Sequence, residues 1–131
     1  MKRIGDKKEV PKFTLLIVED HESLLKFLIE WLGMTFADCL ILEARNGEEA
    51  LEKINATPPH LIFVDIRLPG VNGFQLTQKI RKDFPNIRIV LLSGNHSPEY
   101  QQAASQYGAD AFLVKESIEW DVIEDLVKSI R

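Results

Sequence analysis

A chain of 131 residues, 45% hydrophobic and 27% charged, has the size and apolar content for one globular domain with a real core. Its formal charge of -4 at pH 7 disfavours a nucleic-acid surface within these residues, because phosphate backbones call for a net basic face. A lone cysteine, Cys39, excludes an internal disulfide, and with no signal peptide or long apolar span the expected address is the cytoplasm, away from any membrane.

Residues 1–12 carry Lys2, Arg3, Lys7, Lys8 and Lys12 without periodicity and read as a flexible N-terminal arm, so the domain proper is expected over 13–131. Its first element is a strand over 13–18 that runs straight into Glu19 and Asp20. A helix pattern at 22–33 follows, then a strand over 39–44 opened by Cys39, which reads as a buried, inert thiol. Asn46 with Glu49 has the spacing of a capping box and starts a helix over 47–56. A strand over 60–64 leads into Asp65, and Asn72 with Gln75 repeats the capping pattern ahead of a helix over 73–84. The apolar run 88–92 precedes Ser93, and Ser97-Pro98 sets a cap before a first-turn proline for a helix over 98–107. A strand over 111–114 leads into Lys115. The last helix, over 118–131, puts Val122, Ile123, Leu126, Val127 and Ile130 on one side.

Strands alternating with helices imply an α/β fold with right-handed crossovers and a parallel sheet covered on both faces. Small doubly wound sheets bind ligands at the carboxyl ends of their strands, where the strand order reverses. At that edge the first strand ends in Glu19 and Asp20, the third in Asp65, the fourth in Ser93 and the fifth in Lys115. Two adjacent acids at the end of a buried strand repel each other and require a positive partner. Hard carboxylate oxygens bind Mg²⁺, which keeps several waters and accepts a phosphate oxygen as a further ligand. A cation at Glu19 and Asp20 leaves Asp65 to act as another ligand or as a nucleophile toward phosphorus. His21, His60 and His96 read as exposed or loop residues rather than as ligands.

The stretches LLIVEDH, LIFVDIRLPGVNGF, IVLLSG and GADAFLVK, in this order and spacing, resemble the successive motifs of the response-regulator receiver domain of two-component signalling. The resemblance implies a flavodoxin-like sheet of order 2-1-3-4-5. It implies Mg²⁺ held by Glu19, Asp20, Asp65 and the backbone carbonyl of Arg67, with Asp65 as phosphoacceptor. Ser93 becomes the switch hydroxyl, Phe112 the switch aromatic and Lys115 the phosphate-pairing lysine. The implied partners are a sensor histidine kinase or phosphotransfer protein and, on phosphorylation, a second copy in a weak homodimer. Such a chain is a signalling phosphoacceptor rather than an enzyme acting on other molecules.

Two departures from the family pattern stand out. Ser93 occupies a position where threonine is commoner, and Glu116 one where many receivers have proline, so the peptide between Lys115 and Glu116 is expected to be trans. With GADAFLVKES, Glu116 is similar to receivers of LuxR/NarL-type regulators, whose DNA-binding output domain would lie outside these residues. A Mg²⁺-dependent phosphohydrolase of the haloacid-dehalogenase type needs a second aspartate two positions after its nucleophile, where this chain has Arg67. A receiver-like interaction domain that has lost phosphorylation fits poorly with intact Asp20, Asp65, Ser93 and Lys115. A nucleotide-binding role lacks a glycine-rich loop after the first strand.

Overall fold

The first strand sets the architecture, because all six of its residues are buried and so need cover on both faces. The structure, a computed structural model, describes residues 13–130, and the expected 1–12 arm lies outside them. In chain order the elements are β1 (Phe13–Val18), α1 (Glu22–Thr35), β2 (Cys39–Ala44), α2 (Gly47–Ala56) and β3 (Leu61–Asp65). They continue with α3 (Gly73–Asp83), β4 (Arg88–Ser93), α4 (Pro98–Gln106), β5 (Ala111–Val114), a 3-10 turn (Lys115–Ser117) and α5 (Trp120–Ile130). The five strands are parallel in the order β2-β1-β3-β4-β5. The chain reverses direction across the sheet at β1, which opens a crevice beside the carboxyl ends of β1 and β3.

Alternation along the strands divides the core into two layers. Leu16, Val18, Ile62 and Val64 face α2, α3 and α4, where Ile54, Leu76 and Ile80 meet them. Leu15, Ile17, Phe63 and Leu92 face α1 and α5 and pack on Leu25, Leu28, Ile123 and Val127. The residues of both layers are almost fully buried, so β1, β3 and β4 are tightly packed and their last residues are held in position.

The caps follow their sequence signals. Asn72 and Gln75 form the complete reciprocal box at α3, and Asn46 accepts from the Glu49 amide at α2. There the return half lands one residue early, with the Glu49 carboxylate accepting from the Arg45 amide at 2.9 Å. Ser97 caps α4, with Pro98 in its first turn.

Several boundaries differ from the sequence reading, each for a local reason. β3 starts at Leu61 rather than at residue 60, where the His60 amide donates to the Thr14 carbonyl at 2.9 Å while its ring nitrogen accepts the Thr14 amide at 3.0 Å. That histidine also stacks on Phe13, with ring centroids 5.1 Å apart, at the opposite edge of the sheet from the carboxyl ends. β3 and β4 each run one residue further, to include Asp65 and Ser93. α1 continues past Gly33 to Thr35, and α5 begins at Trp120, since Ile118 is extended and the Glu119 carbonyl accepts the first amides of the helix. Its apolar side is narrower than the pattern suggested: Ile123 and Val127 are buried, whereas Val122 is exposed. Cys39 is half-buried rather than buried, because β2 is an edge strand. The peptide after Lys115 is trans, as no cis bond occurs among the described residues.

One polar staple ties α3 to the turn before β5. The Arg81 guanidinium donates to the carbonyls of Gly108, Pro85 and Ile87 and pairs with Asp110 at 2.8 Å. Asp110 also accepts the Ile89 amide at 2.8 Å. Replacing Arg81 by Ala strands several of these carbonyls, and hydrogen bonds to charged groups contribute roughly 1.5 to 3 kcal/mol each. Urea denaturation of Arg81→Ala is therefore expected to show a loss of about 2 to 3 kcal/mol; a change below about 0.5 kcal/mol, the usual surface value, would refute the staple.

Candidate functional site

The carboxyl ends of β1, β3 and β4 and the residue after β5 bring Glu19, Asp65, Ser93 and Lys115 to one crevice. The first two acids part company just past β1: Glu19 turns inward with no solvent exposure, whereas Asp20 is exposed. Asp65 ends β3 and is 4% exposed. Between the two buried acids lies the Lys115 ammonium, 3.0 Å from Asp65 Oδ1 and 3.2 Å from Glu19 Oε1. One positive charge thus serves two negative ones.

Hydrogen bonds orient both acids. The His21 amide donates to Glu19 Oε2 at 3.0 Å, and the Arg67 amide to Asp65 Oδ1 at 3.1 Å. Glu19 Oε1 receives no hydrogen bond and has only the ion pair to Lys115. Burial raises the Glu19 pKa, and repulsion from Asp65 adds to the rise, while the His21 amide and Lys115 pull it back.

Asp65 lines a cleft of about 420 Å³ together with Ile66, Arg67, Ser93, Gly94 and Lys115, and with Asn95, His96 and Tyr100 beyond them. Ser93 is buried, and its hydroxyl is engaged in its own turn, donating to the Asn95 carbonyl at 2.8 Å and accepting the Asn95 amide at 2.9 Å. Phe112 lies elsewhere: it is half-buried against the layer beneath α4 and does not line the cleft. Tyr100 escaped the sequence reading, whereas Gly73 entered it within the LIFVDIRLPGVNGF stretch and as the start of a helix. The Ser97-Pro98 cap places Tyr100 in the first turn of α4, a signal that was present but pointed only to a helix start. Gly73 carries no chemistry, and its position is set by backbone proximity to Asp65.

Comparison with known proteins decides what this arrangement is. Residues 15–128 match the family model of the response regulator receiver domain. The chain belongs to that family.

The receiver is similar to the uncharacterized transcriptional regulatory protein YesN of Bacillus subtilis, at 32% identity over 90% of this chain and 32% of that protein. It is likewise similar to the nitrate/nitrite response regulator protein NarL of Escherichia coli, at 32% identity over 89% of this chain and 52% of the relative. The chain thus spans about a third of the first of these relatives and about half of the second. Among solved structures, a DNA-binding response regulator of the LuxR family from Staphylococcus aureus superposes with a TM-score of 0.80 at 26% identity, covering 91% of this chain and 99% of that one. No helix among the described residues is long and apolar enough to cross a membrane.

The receiver's donors suit a hard divalent cation. Two buried carboxylates share one ammonium, and one buried oxygen, Glu19 Oε1, receives no hydrogen bond. Among the described residues no three His, Cys, Asp or Glu side chains are gathered closely enough to hold a metal by themselves. Glu19, Asp20 and Asp65 do not stand as a three-carboxylate ligand set here, with Asp20 exposed while Glu19 and Asp65 are buried.

The same charge balance gives a testable consequence. In metal-free Lys115→Met, Glu19 and Asp65 face each other without a cation, and breaking a buried ion pair costs about 3 to 5 kcal/mol. The lysine is 23% exposed, which lowers the expected loss at pH 7 to about 2 to 4 kcal/mol. A carboxyl whose folded pKa is raised contributes stability below its unfolded pKa and loses it as pH rises through the folded value. The deficit of the variant is therefore largest at neutral pH and closes as pH falls below the ordinary Glu value of 4.5. Guanidinium denaturation across this range checks it, and a pH-independent deficit would contradict the assignment.

Proposed function

We propose that the receiver accepts a phosphoryl group on Asp65 from the phosphohistidine of a sensor kinase or phosphotransfer protein, or from a small acyl phosphate, and passes the change to an output partner. The observation that supports this reading is the Asp65 carboxylate at an open cleft, 4% exposed and 3.0 Å from the Lys115 ammonium. A carboxylate oxygen of Asp65 bonds to phosphorus as the bond from phosphorus to the donor nitrogen or oxygen breaks, and the electron pair leaves with the donor. Charge spread over the three equatorial phosphoryl oxygens needs neutralising, and Lys115 supplies part of it. Mg²⁺, when bound, neutralises the same oxygens. Glu19, Asp20, Asp65 and the Arg67 carbonyl would hold it.

The aspartyl phosphate adds about 1.5 to 2 negative charges, by analogy with other phosphorylated side chains. Ser93 then donates to it, and Phe112 turns into the space that the loop vacates. In this reading residues 13–131 form the receiver and 1–12 an arm, the protein acts in the cytoplasm, and a LuxR/NarL-type DNA-binding output domain lies outside this chain. It catalyses only its own phosphorylation and dephosphorylation, and the phosphorylated form self-associates weakly.

Intact mass after incubation with Mg²⁺ and acetyl phosphate tests the chemistry. A gain of one phosphoryl group that disappears when EDTA replaces Mg²⁺ is expected. No gain on folded protein would overturn the reading.

A further inference from the structure

The outer side of α1 carries apolar surface that the core does not use. Phe27 is 50% exposed and Met34 84% exposed, and with Trp31 they are spaced four and three residues apart, which puts all three on one face of the helix. Trp120, the first residue of α5, extends this strip. Its ring centroid lies 4.3 Å from that of Trp31 and 5.7 Å from that of Phe27, so the aromatic surface is contiguous across the two helices. Carboxylates border it. Glu30 is exposed between Phe27 and Met34 on α1, and Glu124 stands one turn after Trp120 on α5.

Charge and connection together say what fits there. Residues 1–12 carry five basic side chains and two acids, a net +3. α1 and α5 together carry five acids and two lysines, a net -3, whereas α2 and α3, on the opposite face of the sheet, carry four acids and four basic residues and balance. The segment also joins the domain on the right side. Phe13, the residue that follows it, belongs to the same layer as Leu32 of α1 and Val127 of α5. Because β1 and β2 are parallel, α1 runs back between them and its last turns lie at the edge where β1 begins. From Met34 to Phe27 the strip extends about 10 Å along the helix, and a dozen residues can span up to about 40 Å. Lys7 and Lys8, near the middle of the segment, supply ammonium groups, which indole faces attract.

We propose that residues 1–12 dock on the aromatic strip of α1 and α5, with Lys7 and Lys8 against Trp31 and Trp120 and with Glu30 and Glu124 holding the segment by charge. The docked segment covers the strip against a second copy of the chain or any other apolar partner. None of the residues at the acceptor cleft takes part, so the contact stands apart from the chemistry of Asp65.

A nitroxide placed on the segment of the full chain, through Gly5→Cys in a Cys39→Ser background, tests the contact by NMR. The indole N–H signals of Trp31 and Trp120 are expected to lose intensity relative to the reduced label, while the amides of α3 keep theirs. Adding Glu30→Lys and Glu124→Lys to the labelled protein restores the indole signals. Acrylamide quenching needs no label, because Trp31 and Trp120 are the only tryptophans of the chain. It is expected to rise with Lys7→Glu and Lys8→Glu and to fall back when Glu30→Lys and Glu124→Lys are added to the same protein. No loss at the two indoles, an equal loss at α3, or quenching that the lysine reversal leaves unchanged would overturn the proposal. An equal loss when nitroxide-labelled and isotope-labelled protein are separate molecules in one sample would overturn it in favour of a second copy on the strip.

Discussion

Asp65→Asn is expected to lose phosphoryl incorporation from acetyl phosphate by at least about three orders of magnitude, the scale on which removal of a nucleophile acts, while remaining folded. The amide has nearly the shape of the carboxylate but lacks its charge and nucleophilicity. Stability should move little, because two opposing terms change together. The variant loses the 3.0 Å pair with Lys115 but also removes the repulsion that helps raise the Glu19 pKa. Lys115 keeps Glu19 as a partner at 3.2 Å. The net shift in unfolding free energy is expected within about 1 kcal/mol of wild type. Equal labelling of the two proteins, read by intact mass, would place the acceptor elsewhere.

Gly73→Ala has the largest structural effect expected of a single methyl group here. Gly73 opens α3, and its amide donates to the Ile66 carbonyl at 2.8 Å. A Cβ at this position would lie 2.6 Å from Ile66 Cα and closer still to the Asp65 carbonyl oxygen. Both are backbone atoms at the end of a buried strand, so neither has room to yield. Overpacking usually costs about 1 to 3 kcal/mol, and rigid surroundings put this case at or above the upper end. Relief requires moving the 65–66 backbone, which displaces the acceptor carboxylate from Lys115 and slows phosphorylation as well. Gly33→Ala is the control: its nearest neighbour would be Ile41 at 3.9 Å, and an alanine inside α1 is expected to stabilise by up to about 1 kcal/mol. Thermal unfolding and acetyl phosphate labelling of both variants decide the matter, and a Gly73→Ala protein that matches wild type in both would refute the close approach.

The strands were legible because most are short, largely apolar runs, and the site because a polar residue follows or ends four of them, β1, β3, β4 and β5, at the same end of the sheet. Depth was not legible. Glu19 and Asp20 look equivalent in sequence, yet the first is buried and the second exposed. The occupied state of the Ser93 hydroxyl depends on the fold of the 93–97 turn, which no periodicity reports. The start of α5 was misplaced by two residues because the apolar pattern includes Ile118, which packs on the α1–α5 layer without being helical. Arg81 gave no signal, since an arginine in the last turn of a helix is ordinary dipole chemistry.

The most direct measurement on the central claim is chemical trapping of the acceptor. An acyl phosphate on an aspartate is reduced by borohydride to the alcohol, so the labelled residue is read as homoserine after proteolysis and tandem mass spectrometry. Wild-type protein treated with Mg²⁺ and acetyl phosphate, then borohydride, is expected to carry homoserine at position 65 and aspartate at position 20. Homoserine at another position, or aspartate at 65 in protein whose intact mass shows the phosphoryl group, would contradict the account.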